Sequence, residues 1–288
     1  MNRRSTPRIA LATAEHLPDL TTDDQHLLLA LRARGVRAEP LVWQDTGVDL
    51  PDAVIIRSCW DYHLRVEEFF DWVDRLDRAG VTVLNPPSLL SWNAHKRYLD
   101  GLSAVVSVPA RIWLARGGEE GDPVLPAEWE RAVFKPAISA SAHETWLAEL
   151  PLGDAQRTRL RDQRARSDVM AQRFVNEILT AGELSFVFID GQYSHAVGKR
   201  PAAGDFRVQA EHGGSAELAH PRSSEIRTAA AVVAAAPAIP LYARVDAVVT
   251  PAAFQLMELE LIDPQLFFIE AAQPLDGFVE AILARVRA

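Results

Sequence analysis

Residues 1–90 alternate short apolar runs with stretches of helical spacing. Arg8–Ala12 reads as a strand. Thr22–Arg34 reads as a helix capped by Thr21 or Thr22, with Leu27, Leu28, Leu29 and Leu31 as its buried stripe. Arg37–Leu41 and Ala53–Arg57 have strand length, the second entered through Pro51-Asp52. In Val66–Arg78, Phe69, Phe70, Val73 and Leu76 recur at helical spacing and Gly80 stops the helix; Val81–Leu84 is the next strand, ended by Asn85-Pro86-Pro87. Strands separated by helices in this way indicate a parallel sheet covered on both faces, a doubly wound α/β unit.

Beyond residue 90 the pattern changes. Ser91–Leu102 is a connecting helix, Ala110–Leu114 and Ala132–Pro136 are strands, and Asp154–Ser167 is a charged, arginine-rich helix that reads as a solvated face. After about residue 168 the chain turns to β-structure. Val169–Phe174, Leu184–Ile189, Tyr193–Lys199, Ala243–Val249 and Gln255–Ile262 read as strands, mostly antiparallel hairpins, with the alanine-rich helix Ser224–Ala236 between them.

The chemistry concentrates in the last hairpin. Arg244 and Asp246 are two apart on one strand and leave it on one face; Glu258 and Glu260 do the same on the next, while Met257, Leu259 and Leu261 point to the core. If the strands pair, three carboxylates and a guanidinium share a surface. Carboxylates that crowd one another call for cations, and oxygen-only ligands suit Mg²⁺ better than zinc. A solvent-exposed polar hairpin face is the other reading. Lys135 ends an apolar strand at the mouth of the small-residue loop Ala137–Ala142, whose backbone N–H groups can approach phosphates with Ser141 among them. Lys96 lies in the connecting helix. The run Gln172–Val175, with Phe174, offers backbone groups to adenine edges, and Glu183 opens the next strand where it can accept from ribose hydroxyls. Lys199 and Arg207 place cations in a loop-rich stretch. Arg57 and Asp61, with Tyr62, lie at the end of a strand of the first unit, where open parallel sheets bind ligands; they are expected to take the zwitterionic end of a substrate, with a structural salt bridge as the alternative.

The chain's 288 residues are too many for one small core and fit two or three lobes around a cleft. Its formal net charge of −9 offers no counterion release, so no nucleic-acid partner is expected. No apolar run approaches the length of a membrane span, so no membrane partner is expected either. Cys59, the one cysteine, reads as a buried small residue, and without a disulfide framework the expected compartment is the cytoplasm.

In this order these residues resemble the ATP-grasp superfamily, in the branch similar to glutathione synthetase, over roughly residues 85–268. Arg244-Val245-Asp246 is similar to the family's Arg-Val-Asp strand, and Glu258-Leu259-Glu260 stands in place of its Glu-x-Asn motif, with Glu260 departing from the usual asparagine. The loop after Lys135 has serine and alanine where glycines are usual. Arg57-Ser58-Cys59-Trp60-Asp61-Tyr62-His63, Trp92-Asn93 with Lys96, Lys135-Pro136-Ala137 with Ser139-Ala140-Ser141, and Glu258–Ile262 resemble a smaller group, one member of which closes O-ureido-D-serine to D-cycloserine.

The resemblance implies an ATP-grasp fold of α/β and α+β class: an N-terminal α/β unit over residues 1–90, a central lobe over 91–175, and a C-terminal lobe carrying the metal site over 176–288. It implies two Mg²⁺ ions, or Mn²⁺, on Asp246, Glu258 and Glu260. ATP is implied on Lys96, Lys135, Ser141, Gln172, Phe174, Val175 and Glu183, and positive potential at the reacting groups from Arg244, Arg207 and Lys199. The implied activity is an ATP-dependent carboxylate–amine ligase working through an acyl phosphate, releasing ADP and phosphate, on a small amino-acid-like substrate, as monomer or homodimer. A peptide-tailoring ligase, a carboxylate kinase and a non-catalytic nucleotide-binding module are the alternatives.

Overall fold

The computed structural model of the protein describes residues 6–118, 123–209, 212–271, 273 and 275–287. Three sheets organise it. The first is parallel, in the order β2 (Arg37–Val42), β1 (Arg8–Thr13), β3 (Ala53–Ser58), β4 (Thr82–Leu84), with α1 (Thr22–Ala33) and α2 (Val66–Arg78) as crossovers. β3 is buried along its whole length, as a central parallel strand covered on both faces requires. Thr21 caps α1, its side chain accepting from the Asp24 amide. Leu27, Leu28 and Leu31 are buried as expected, but Leu29 is 60% exposed: it falls on the outer side of the helix, away from the stripe.

The second sheet is antiparallel, in the order β5 (Arg111–Leu114), β8 (Val169–Arg173), β6 (Arg131–Pro136), β7 (Trp146–Glu149). β7 is absent from the sequence reading. α5 (Asp154–Arg166) follows it, with Leu160 and Gln163 buried and its arginines largely outward. The third sheet runs β11 (Ser215–Ala219), β10 (Gln192–Arg200), β9 (Glu183–Ile189), β12 (Tyr242–Val249), β13 (Phe254–Glu260), all antiparallel, with α7 (Ser223–Ala234) packed against it.

Two expectations need correction here. The helix over 91–102 is two helices, α3 (Pro87–Ala94) and α4 (Tyr98–Leu102), broken at His95, whose backbone is extended at φ −95° and ψ 121°. The break is tertiary in origin: the Lys96 amide donates to Ala137 O at 2.9 Å rather than continuing the helical ladder. The last helix, α8 (Asp276–Arg287), was also missed, although Phe278, Val279, Ile282 and Leu283 have helical spacing; they are buried in one core with Leu27 and Leu31 of α1. Among the described residues no helix is long and apolar enough to cross a membrane.

Buried polar side chains fix the third sheet to the rest. Asn85 Nδ2 donates to Tyr242 O (2.9 Å) and Leu261 O (2.8 Å), while its Oδ1 accepts from Leu241 N (2.6 Å). The Tyr242 hydroxyl reaches Ile56 O at 2.7 Å and Ile262 O at 2.9 Å. β13 is an edge strand, and its outer backbone groups would otherwise be orphaned in the core. Asn93 and the Tyr98 hydroxyl take their place: Asn93 donates to Leu259 O and accepts from Leu261 N, both at 2.8 Å, and Tyr98 accepts from Leu259 N at 3.1 Å.

Candidate active site

A cavity of about 310 Å³ opens between the second and third sheets and reaches the end of β3. Its floor is the hairpin of β12 and β13. The register pairs Arg244 with Glu260 and Asp246 with Glu258, so all four side chains leave one face. Directly after Asp246 the register shifts, because Met257 is an extra residue on β13. The bulge turns Met257 toward the cavity, where it joins Val133, Phe174, Val175, Ile178, Phe206 and Val208 in an apolar slot; this corrects the assignment of Met257 to the same core as Leu259 and Leu261.

The floor is a cation–carboxylate lattice. Arg244 Nη2 lies 3.0 Å from Asp246 Oδ2 and 2.5 Å from Glu260 Oε1. Lys199 Nζ lies 2.6 Å from Glu183 Oε1 and 3.4 Å from Asp246 Oδ2, and Ser185 donates to Asp246 at 2.5 Å. Lys96 Nζ lies 2.6 Å from Glu258 Oε1 and donates to Ser139 O at 3.1 Å, joining the loop after β6 to the floor. Burial would raise the Asp246 carboxyl, but Arg244 and then Lys199 hold it at about 2. Glu260 goes the other way. Desolvation in the cleft pushes it up to about 7 against the pull of Arg244, with the fields of Asp246 and Glu258 adding to the rise. Lys135 has no ion-pair partner among the described residues, and burial lowers its pKa. It is therefore a cation free to meet an incoming anion. A charge-assisted hydrogen bond contributes about 1.5–3 kcal/mol, so Lys135→Met should raise the KM for ATP about 10- to 100-fold with little change in melting temperature. An unchanged KM in steady-state ADP release would remove Lys135 from phosphate binding.

The structure brings Lys96, Lys135, Ser141, Gln172, Phe174, Val175, Glu183, Lys199, Arg207, Arg244, Asp246, Glu258, Glu260 and Tyr62 to the walls of this one cavity. Arg207 is paired with Asp205 at 2.7 Å. Two expected residues are not there. Arg57 is 2% exposed, forms a buried ion pair with Asp24 at 2.8 Å and donates to Pro264 O at 3.0 Å. Asp61 accepts from Trp43 Nε1 at 2.8 Å and from Gln44 Nε2 at 2.5 Å, which turns it away from the cavity. Both hold the structure together at the end of β3. The three floor acids face one cavity without meeting at a point. Each is turned to a cation, and among the described residues no group of three or more His, Cys, Asp or Glu is assembled around a metal-sized position. Sequence reasoning missed Trp60 and Asp263 as wall residues; Asp263 breaks the two-residue alternation of 258 and 260, so spacing does not announce it.

A cleft walled by two antiparallel sheets, with an apolar slot at one end and cations meeting carboxylates at the other, is the arrangement of the ATP-grasp fold. Residues 9–85 match the family model described as D-cycloserine synthetase DcsG, N-terminal domain. The cycloserine biosynthesis protein DcsG of Streptomyces lavendulae is 32% identical over 202 residues, 66% of this chain and 67% of that protein. The glutathione synthetase of Parasynechococcus marenigrum is 34% identical over 55% of this chain, which spans half of that enzyme's length. The crystal structure of D-cycloserine synthetase DcsG superposes with a TM-score of 0.83 at 26% identity, covering 96% of this chain and 99% of that one. The chain belongs to the DcsG family of ATP-grasp ligases.

Proposed function

We propose that this ligase uses ATP to activate the carboxylate of a small amino-acid-like substrate and closes a ring on a nitrogen of the same molecule; the similar proteins are named for cycloserine biosynthesis and D-cycloserine synthesis. The observation that carries this reading is the match to DcsG, by residues 9–85 to its N-terminal domain and at 32% identity over 66% of the chain. The three sheets support a division into units over residues 1–90, 91–175 and 176–288. Adenine would occupy the slot of Phe174, Val175 and Met257, with Gln172 at its edge and Glu183 toward the ribose. The triphosphate would then run past Lys135, Lys96 and Ser141 to the floor of Arg244.

Asp246, Glu258 and Glu260 offer hard oxygen donors and fit Mg²⁺, or Mn²⁺, provided phosphate oxygens complete the shell. Two such ions would neutralise charge developing between the β- and γ-phosphates. The protein's own part is positioning and positive potential. A substrate carboxylate oxygen held near Arg244 attacks the γ-phosphorus as the bond to the ADP oxygen breaks, with Lys199 and Arg207 adding to the cationic wall. The nitrogen then attacks the acyl carbon, the bond to the phosphate oxygen breaks, and the proton shed by the nitrogen leaves with the phosphate or to water. The nucleophile is tethered to the carbonyl it attacks, so effective concentration favours closure over hydrolysis. No protein nucleophile is needed; Cys59 is buried and its thiol pKa pushed well up by that burial.

The test is ADP release with O-ureido-D-serine, with cyclic product read by mass spectrometry. ADP formation should fall to background in EDTA and return with added Mg²⁺. ADP release without a cyclic product would replace ring closure with intermolecular ligation or carboxylate phosphorylation.

A further inference from the structure

Building on the reading of this site as one for an amino-acid-like carboxylate, we infer that Asp263 is the specificity-determining anchor for the substrate's ammonium group. Asp263 is 8% exposed, lines the cavity beside Trp60 and Tyr62, and its Oδ2 has no hydrogen-bond partner. The other acids buried with their cations make a contrast: Asp24 has Arg57, Glu183 has Lys199, and Asp246 has Arg244. Asp263 forms no ion pair among the described residues. A carboxylate held out of water without a partner costs several kcal/mol, so the fold retains here a group that a cation would satisfy.

Its main chain, in contrast, is held firmly. Trp60 Nε1 donates to Asp263 O at 3.0 Å and Arg57 Nη2 donates to Pro264 O at 3.0 Å, both from the end of β3. Two residues on, Gln265 O accepts from Arg244 Nη1 at 3.2 Å. The short segment 263–265 is thus pinned to the parallel-sheet unit at one end and to the floor arginine at the other. An α-amino acid carries its ammonium and carboxylate on one carbon, which suits a carboxylate side chain on a segment that the β12 guanidinium of Arg244 also grips. Trp60 and Tyr62 line the same part of the cavity and keep that end of it aromatic. Burial, then the field of Glu260, raises the Asp263 carboxyl well above its usual range, as expected of an acid whose counter-ion arrives with the ligand.

The competing explanation is that Asp263 serves only as a second counter-ion for Arg57, whose Nη1 also lacks a partner. Steady-state ADP release by the full-length wild type, Asp263→Asn and Asp263→Glu separates the two. The probes are O-ureido-D-serine and its desamino counterpart, in which hydrogen replaces the α-ammonium. The anchor predicts a KM for the amino compound raised about 100-fold in Asp263→Asn, part of it regained in Asp263→Glu. The KM for ATP should stay put, and the two proteins should have equal, high KM values for the desamino compound. An equal loss on both compounds, or an unchanged KM, overturns the anchor and leaves the Arg57 counter-ion. If wild type releases no ADP with O-ureido-D-serine, ring closure of that substrate fails instead. The anchor is then read from melting-temperature shifts with D-serine and 3-hydroxypropanoate beside a non-hydrolysable ATP analogue. A shift with D-serine alone, lost in Asp263→Asn, supports it; no shift, or the same shift in both proteins, refutes it.

Discussion

Glu258→Gln is expected to lower turnover of ATP about 1000-fold while leaving the melting temperature within a few degrees of wild type. Glu258 sits opposite Asp246 in the β12–β13 register, and its Oε1 receives Lys96 at 2.6 Å. Glutamine keeps the shape and an acceptor oxygen for Lys96 but removes the charge. Lys96 is buried, at 5% exposure, but it keeps the glutamine oxygen and Ser139 O as acceptors, and removing the carboxylate also relieves its repulsion with Asp246, so the fold loses little. What disappears is the negative donor that would hold a divalent cation against the triphosphate. The loss should therefore fall on kcat, with ATP-analogue affinity in the absence of Mg²⁺ unchanged. ADP release and calorimetric binding on the same protein samples check both halves. Activity within about threefold of wild type would mean that Glu258 is only the counter-ion of Lys96, and the metal assignment on β13 would fall with it.

The contrast between what the sequence disclosed and what it hid has a physical cause at each place. Arg244, Asp246, Glu258 and Glu260 were legible because strand periodicity is strictly two and puts such residues on one face whatever surrounds them. Met257 was not. Its inward turn depends on a one-residue bulge against Asp246, which exists only once β12 and β13 have paired. Lys96 was recognised as a phosphate candidate inside a continuous helix, yet it reaches Glu258 because that helix breaks at His95, and the break is set by a carbonyl 41 residues downstream at Ala137. Arg57 and Asp61 were placed at the substrate by a sound rule about strand ends. The rule cannot distinguish a side chain that faces the crevice from one consumed by a neighbour such as Asp24 or Trp43. The helix α8 is a different case: its apolar spacing was present in the sequence and went unread.

Asn85→Ala should destabilise the protein by about 3 kcal/mol or more, measured as the free energy of unfolding in urea. The side chain is 0% exposed and satisfies three backbone groups: the carbonyls of Tyr242 and Leu261 and the amide of Leu241. Each buried group left unsatisfied costs about 1–3 kcal/mol, and a partly filling water would recover only a fraction. Asn85→Asp should do no better, although it matches asparagine in size. A carboxylate can still accept from Leu241, but it would set an acceptor against two carbonyl oxygens that require a donor. The consequence should reach the cleft. Asn85 ties the start of β12 to the residue after the end of β13, the two strands on which Arg244, Asp246, Glu258 and Glu260 are spaced. A looser hairpin should weaken ATP-analogue binding as well as stability, whereas Glu258→Gln should spare both. If Asn85→Ala unfolds within about 1 kcal/mol of wild type, water replaces the amide at little cost, and the alignment of the floor must rest on Tyr242, Asn93 and Tyr98.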